Sequence, residues 1–152
     1  MMTVHAAGGE TMMRAANDAA RLIPTKSTRK PLIVAVTVLT SLDELDIKTI
    51  GISRSSITSQ VKRLAELAQK SGLDGVVCSS HEIAILRKQC GPDFKLVVPG
   101  IRPKGTTHSD QKRVMTPKEA IAAGADYLVI GRPITGAENP GEAARSILDS
   151  IT

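Results

Sequence analysis

Aromatic side chains are almost absent from this sequence. Its 152 residues include one Phe, one Tyr and no Trp, so the core must be aliphatic, and the stacking surfaces that single-stranded nucleic acids require are missing. The formal net charge is +5, but the Lys and Arg residues are spread along the chain, so no dense nucleic-acid patch is indicated. The basic stretch Lys26–Lys30 is interpreted as a solvated linker.

Cysteine and long apolar runs are equally scarce. Cys78 and Cys90 are the only cysteines, which argues against a disulfide framework or a zinc site and favours a reducing, cytoplasmic location. The longest apolar run, Leu32–Leu39, is far too short to span a bilayer. No cationic segment followed by an apolar stretch marks a signal peptide. The remaining composition is typical of a single soluble domain covering residues 1–152.

Short β-branched runs alternate with amphipathic helical stretches along the chain. Strands are predicted at Met2–Ala6, Leu32–Val38, Asp74–Cys78, Phe94–Val98 and Asp126–Ile130. Helices are predicted at Glu10–Ile23, Ile57–Ser71, from a Ser80 cap to about Gln89, from a Thr116 cap onward, and at about Gly141–Ile151. This alternation predicts a parallel sheet with helical crossovers. It leaves open a doubly wound sheet or a piece of a (β/α)8 barrel, which needs at least about 200 residues to close.

The loops after the last two predicted strands carry groups that suit a phosphate. One begins at Pro99-Gly100-Ile101-Arg102 and stays polar to Arg113, and the other is Gly131–Thr135. Ligands meet the carboxyl ends of parallel strands in both architectures. A Gly lets the backbone approach a phosphate oxygen, and an Arg adds a planar fork of donors. Gly8-Gly9 lacks the G-x-G-x-x-G spacing of a doubly wound nucleotide fold, so the loops favour the barrel.

Five motifs follow one another in order over essentially the whole chain. They are Thr3–Gly9, Ala35–Ser41, Gly72–Ser79, Pro99–Arg102 with Asp110-Gln111, and Gly131–Thr135. In this order they resemble bacterial orotidine 5′-phosphate decarboxylase. Each motif is moderately specific, and the five together at suitable spacing are highly specific. The resemblance implies an α/β fold that is a partial (β/α)8 TIM barrel, with about five βα units and parallel strands. It also implies a homodimer in the full-length enzyme, with active sites near the dimer interface.

The resemblance further implies an activity and a set of substrate contacts. The family converts orotidine 5′-monophosphate to UMP and CO₂ in de novo pyrimidine biosynthesis, without metal or organic cofactor. Thr40 matches a contact near the base of the nucleotide. Arg102 and Gln111 match contacts on the mobile loop that closes over it. Gly131 and Arg132 match the phosphate grip.

The catalytic groups that the resemblance implies have no counterpart in this sequence. The family places one Lys on its second strand and a D-x-K-x-x-D motif on its third, whereas this chain begins at what resembles the fourth. Two partial matches fail, because Asp46-Ile47-Lys48 has Gly51 at the last position and Asp93-Phe94-Lys95 has Val98. The chain is therefore expected to hold no catalytic residue, to represent the carboxyl-terminal five-eighths of the enzyme, and to be inactive alone.

Three functional hypotheses stay open. The chain represents part of a decarboxylase, a non-catalytic half-barrel that binds a nucleotide phosphate, or a related barrel enzyme acting on a sugar phosphate. Thr40-Ser41 and the long loop from Arg102 to Gln111 favour the nucleotide. The expected partner is thus a small nucleotide such as orotidine 5′-monophosphate or UMP, and neither nucleic acid nor membrane. His5, at the end of the first strand, is interpreted as a hydrogen-bonded structural histidine.

Overall fold

Five parallel strands form a single sheet in a computed structural model that describes residues 1–22, 30–52, 56–103 and 115–152. The strands are β1 (Met2–His5), β2 (Ile33–Val36), β3 (Gly75–Val77), β4 (Lys95–Val98) and β5 (Tyr127–Leu128). Their order in the sheet is the same as their order in the chain. A doubly wound sheet would reverse its order at a switch point. Sequential strand order is instead the arrangement of a (β/α)8 barrel, in which the helices lie on one side of the sheet.

Seven α-helices lie in the described part of the chain. They are α1 (Gly9–Leu22), α2 (Glu44–Thr49), α3 (Ile57–Lys70), α4 (Ile83–Cys90), α5 (Pro117–Ala123), α6 (Arg132–Thr135) and α7 (Pro140–Asp149). Two short 3₁₀ turns, Ala6–Gly8 and Ser80–Glu82, precede α1 and α4. None of the helices in these ranges is long and apolar enough to cross a bilayer.

The five predicted strands are confirmed, but each is shorter in the structure than in the prediction. Two helices were not predicted, α2 and α6. The cap before α4 was assigned to the wrong serine. Ser79 accepts a hydrogen bond from His81 N, and Glu82 reciprocates by accepting one from Ser79 N at 2.6 Å. The S-x-x-E capping box therefore begins one residue earlier than predicted.

The core lies between the helices and one face of the sheet, and it is aliphatic apart from Phe94. Alternate residues of the central strands point toward the helices. Those that are fully buried in this core are Ile33, Ala35, Val76, Leu96 and Val98. The helices meet them mainly with Met13, Val61, Ala65, Ala68, Ile83 and Leu86. Each large aliphatic side chain buried here stabilises the fold by roughly 1.5–3 kcal/mol, which explains how the sequence manages with so few aromatic residues.

Aspartates tie the amino ends of neighbouring strands together. Asp74, just before β3, accepts a hydrogen bond from Ile33 N of β2 at 2.7 Å. Asp126, just before β5, does the same for Leu96 N of β4 at 2.9 Å. Each Asp follows a glycine at the end of the preceding helix, Gly72 and Gly124, which adopt φ values of +81° and +108° that favour glycine. The same helix-to-strand connection is thus built twice.

Arg87 extends the second of these connections into a charged cluster. Its guanidinium lies 2.6 Å from Asp126 Oδ2 and donates to the main-chain carbonyls of Gly91, Pro92, Phe94 and Gly124. Lys95 Nζ lies 3.2 Å from Asp126 Oδ1. Burial opposes ionisation of Asp126, but hydrogen bonds from Leu96 N, Arg87 and Lys95 outweigh it and lower the pKa of this carboxyl. At the amino edge of the sheet, where the strands begin, charged groups therefore hydrogen-bond to one another and hold neighbouring strands together.

Candidate ligand site at the carboxyl edge of the sheet

Four of the five residues predicted to contact a ligand lie at the opposite edge of the sheet, where the strands have their carboxyl ends. Arg102 follows β4, and Gly131 and Arg132 follow β5, which pairs with β4 through Val97↔Tyr127 and Val98↔Leu128. Thr40 follows β2, on the same edge and two strands away. Because all the strands are parallel, these loops share one side of the molecule. The fifth residue, Gln111, lies outside the described residues.

The chain beyond β4 fixes the position of Arg102. Ile101 is fully buried and forms a parallel bridge with Met115. Arg102 N donates to Met115 O at 3.0 Å, so the two ends of the long loop are joined at its base. The Arg102 side chain is half-buried, and its guanidinium donates to Ile101 O at 2.9 Å. A planar cation is thus held beside the carboxyl ends of β4 and β5.

Gly131 and Arg132 lie at the turn from β5 into α6. Gly131 O accepts hydrogen bonds from Ile134 N at 2.8 Å and Thr135 N at 3.0 Å, which closes the turn. Both Gly131 and Arg132 are exposed. A Cβ added to Gly131 would meet nothing within 4 Å, so the backbone here is open to close approach by another group.

The loop after β2 places Thr40 between two fixed points. Before it, Thr37 is buried and donates to Val77 O from its main-chain N at 3.2 Å and from Oγ1 at 2.8 Å. After it, Asp43 caps α2 by accepting from Leu45 N and Asp46 N. Thr40, half-buried, lies on the short turn between them. The predictions did not single out Thr37, although a polar β-branched residue at the end of an apolar strand was a visible signal.

Two titratable residues at this edge have no evident chemical role. Cys78 follows β3 and is buried, and this burial, with the nearby Glu82 carboxylate, raises the pKa of its thiol far above the ordinary range. His5 ends β1, its side chain is exposed, and it makes no side-chain hydrogen bond within the described part of the chain. The interpretation of His5 as a hydrogen-bonded structural histidine therefore stays a prediction, since the described residues supply no partner for it.

Neither partial match to the catalytic motif lies where chemistry would be expected. Asp46 is engaged in the cap of α2, where its Oδ2 accepts from Asp43 N at 2.8 Å. Asp93 and Lys95 lie at the amino end of β4, on the edge away from Arg102 and Arg132. Among the described residues, no group of three His, Cys, Asp or Glu side chains could hold a metal ion.

This arrangement defines a class of protein: a parallel β/α chain of barrel type whose conspicuous Gly and Arg residues follow adjacent strands at the carboxyl edge. The comparisons with known proteins narrow the class. The model of the orotidine 5′-phosphate decarboxylase / HUMPS family matches residues 1–147. The chain is 58% identical over 151 residues to orotidine 5′-phosphate decarboxylase of Haemophilus influenzae and 54% identical to that of Actinobacillus pleuropneumoniae. The chain therefore belongs to the orotidine 5′-phosphate decarboxylase / HUMPS family.

Solved structures agree with this assignment and also show a difference in length. The crystal structure of orotidine 5′-phosphate decarboxylase from Lactobacillus acidophilus shares 37% identity, with a TM-score of 0.85. The likeness covers 99% of this chain and 62% of that one. In the same way, the chain spans 64% of the length of the Haemophilus influenzae relative. The fold is thus that of part of a TIM barrel.

Proposed function

We propose that this chain supplies the phosphate- and base-contacting part of an orotidine 5′-phosphate decarboxylase, which converts orotidine 5′-monophosphate to UMP and CO₂. The observation that carries the proposal is the family match together with the placement of Thr40, Arg102, Gly131 and Arg132 at one edge of the sheet. In this proposal Gly131 and Arg132 hold the phosphate, Arg102 and Gln111 close over the nucleotide, and Thr40 lies near the base. The reaction uses no cofactor, and the full-length enzyme is a cytoplasmic homodimer.

The groups at this edge suit binding better than bond breaking. A guanidinium is always charged and matches the geometry of phosphate oxygens, while the exposed Gly131 admits them to the backbone. A decarboxylation also needs a cation placed at the carbon that loses CO₂, because the developing carbanion must be stabilised there. The resemblance assigns that role to lysines on strands that precede β1 of this chain. In the proposal, therefore, the catalytic Lys and Asp residues come from three further βα units.

The proposal is tested by calorimetric titration with UMP and uridine. A charge-assisted contact to phosphate contributes roughly 1.5–3 kcal/mol, so Arg132→Ala should weaken UMP binding by about ten- to a hundredfold. Uridine binding should change little, because uridine has no phosphate. Arg145→Ala provides a matched control, since Arg145 is an exposed arginine on α7. Equal losses for UMP and uridine would contradict the phosphate role.

A sugar-phosphate enzyme of the same family is the second candidate, because the family description also includes the HUMPS group. The relatives at 54–58% identity carry the decarboxylase name, which favours the nucleotide. Titration with a pentose phosphate beside UMP separates the two candidates. Tighter binding of UMP supports the decarboxylase, and tighter binding of the sugar phosphate supports the alternative.

A further inference from the structure

A cavity of about 270 Å³ lies at the amino edge of the sheet, on the side away from Arg102 and Arg132. It is lined by the last turns of α1 and by the residues that directly precede β2 and β3. A water molecule takes about 30 Å³ in the liquid, so the cavity has room for a small solute. None of the four described residues of the candidate ligand site lines it.

Asn17 on α1 is the most deeply buried polar residue that lines this cavity, and it is 7% exposed. Arg21 Nε donates to Asn17 Oδ1 at 3.3 Å, which distinguishes the oxygen end of the amide from its nitrogen end. Within the described residues Asn17 Nδ2 donates to no group. A Cβ at Gly72 would lie 3.1 Å from this nitrogen, so the glycine leaves room for it. Buried donors are almost always hydrogen-bonded, and this amide therefore has a donor to offer to a molecule in the cavity.

Two cationic side chains lie beside this amide. Arg21 and Lys30 both line the cavity, and both are exposed. Lys30 Nζ donates to Arg21 O at 2.6 Å, which brings the ammonium group to the end of α1. One such hydrogen bond leaves an ammonium group with two more hydrogens to donate. Asn17, Arg21 and Lys30 thus bring amide, guanidinium and ammonium donors to one small space, a combination that suits an oxyanion.

Asp74, which is half-buried, determines the kind of oxyanion that the cavity can hold. Its Oδ2 accepts a hydrogen bond from Ile33 N at 2.7 Å, and the described part of the chain supplies no partner for its Oδ1. An ionised carboxylate only accepts hydrogen bonds. It therefore repels an anion that has no hydroxyl group, but it can accept from one that has. Hydrogen phosphate keeps a hydroxyl group at neutral pH and sulfate has none, so Asp74 favours phosphate.

We infer that this cavity is a binding site for hydrogen phosphate. Asn17, Arg21 and Lys30 donate to the phosphate oxygens, and Asp74 accepts a hydrogen bond from the phosphate hydroxyl group. The site lies at the opposite end of the strands from the candidate ligand site, and it does not depend on nucleotide binding. A phosphate bound there joins α1 to the segments that precede β2 and β3, so its binding stabilises the folded chain.

The inference is tested by NMR titration of the isotope-labelled chain with inorganic phosphate and with sulfate. We expect phosphate to shift the side-chain amide of Asn17 and the main-chain amide of Gly72 until saturation, and sulfate to bind at least about tenfold more weakly. Asn17→Asp replaces the donor with a carboxylate, so the variant should bind phosphate at least about tenfold more weakly. Asn139→Asp is the matched control, because Asn139 is the exposed cap of α7, and it should leave phosphate binding unchanged.

Asp74→Asn tests the selectivity of the site. The asparagine keeps an oxygen that can accept from Ile33 N, and it presents NH₂ hydrogens to the cavity in place of a carboxylate oxygen. Sulfate should then bind this variant about as tightly as phosphate does. If circular dichroism shows that Asn17→Asp does not fold, the selectivity of Asp74→Asn decides the question.

Several outcomes would overturn the inference. They are a phosphate response that is absent at Asn17 and Gly72, equal binding of sulfate and phosphate by the unmodified chain, or equal effects of the two Asn→Asp substitutions. Arg132→Ala separates this test from that of the proposed function. This variant should keep the phosphate response at Gly72 even where it loses UMP binding. A phosphate response without UMP binding would thus contradict only the nucleotide proposal.

Discussion

The two ends of the strands, the amino edge and the carboxyl edge of the sheet, are built in different ways from similar residue types. At the amino edge, Arg87 and Asp126 use their charges on each other and on main-chain groups of the protein. At the carboxyl edge, Gly131 and Arg132 are exposed, and the backbone around Gly131 is open. Arg87 holds strands and helices together, whereas Arg132 is the arginine that we propose to meet a ligand. The difference matches the general division of β/α barrels into a stability face and an active-site face.

The largest expected effect on stability is at Arg87. Arg87→Ala leaves Asp126 and several part-buried carbonyls with fewer donors, which should lower the free energy of unfolding by about 2–3 kcal/mol. That loss is a large fraction of the total for an ordinary domain. Urea denaturation measures it. Arg145→Ala on the exposed face of α7 should change stability by less than about 0.5 kcal/mol. A similar loss in both variants would show that Arg87 stabilises the fold no more than an exposed arginine does.

A smaller effect, with a characteristic pH dependence, is expected at Asp126. Its pKa is lowered in the folded state from an ordinary value of 3.8, so its contribution is fully present above that value and is lost as the pH falls through the folded pKa. Asp126→Asn should cost about 1–2 kcal/mol near neutral pH. The free energy of unfolding of this variant should also fall less steeply than that of the unmodified chain as the pH drops below the ordinary pKa of an aspartate. Identical acid profiles for the variant and the unmodified chain would show that Asp126 is not the group responsible.

Thr37, which directly follows β2, provides a structural hydrogen bond at the carboxyl edge of the sheet. Thr37→Val keeps the shape of the side chain and removes the 2.8 Å hydrogen bond from Oγ1 to Val77 O. The expected loss of stability is roughly 0.5–1.5 kcal/mol, less than that at Arg87. Thermal unfolding of the two variants side by side checks the order. A greater loss at Thr37 would mean that the carboxyl edge also carries a main structural tie.

The smallest effect is expected on the surface of α3. Glu66 and Lys70 form a 2.6 Å ion pair in which both side chains are more than half exposed. The hydrogen bond from Lys70 lowers the pKa of Glu66, but water and salt screen such pairs strongly. Glu66→Gln should leave the unfolding midpoint unchanged within error in denaturation at physiological ionic strength. A clear shift would show that exposed pairs matter here as much as the cluster at Arg87.

The sequence predicted the repeated units of the fold better than their ends. Runs such as Leu32–Val38 marked the buried strands, but residues at their ends make single hydrogen bonds to a neighbouring strand, as Thr37 N does to Val77 O, without continuing the ladder, so the strands are shorter. α2 was missed because its six residues show little periodicity, although Asp43 and Asp46 form a capping box. α6 was missed because it lies within a loop chosen for its Gly and Arg.

The candidate site could be located from the sequence, but its supports could not. Arg102, Gly131 and Arg132 were identified because the resemblance assigns them contacts and because loops after parallel strands share an edge. The roles of Arg87, Asp74 and Asp126 depend on partners as far as 41 residues away in the chain. No local pattern specifies such pairings. The sequence shows an acidic residue before a strand. It does not show which main-chain N–H group donates to that residue.

We propose that this chain carries contacts that hold the nucleotide, whereas the groups that promote decarboxylation belong to three further βα units. The most direct test is to assay UMP formation from orotidine 5′-monophosphate by the purified chain. Remote contacts accelerate a reaction only when groups at the reacting carbon use their binding energy, and losing the charge-stabilising lysine should cost several kcal/mol, or powers of ten in rate. We predict no activity above background for the chain alone and measurable turnover when the missing units are co-expressed. Robust turnover by the chain alone would show that groups able to promote decarboxylation lie within these 152 residues.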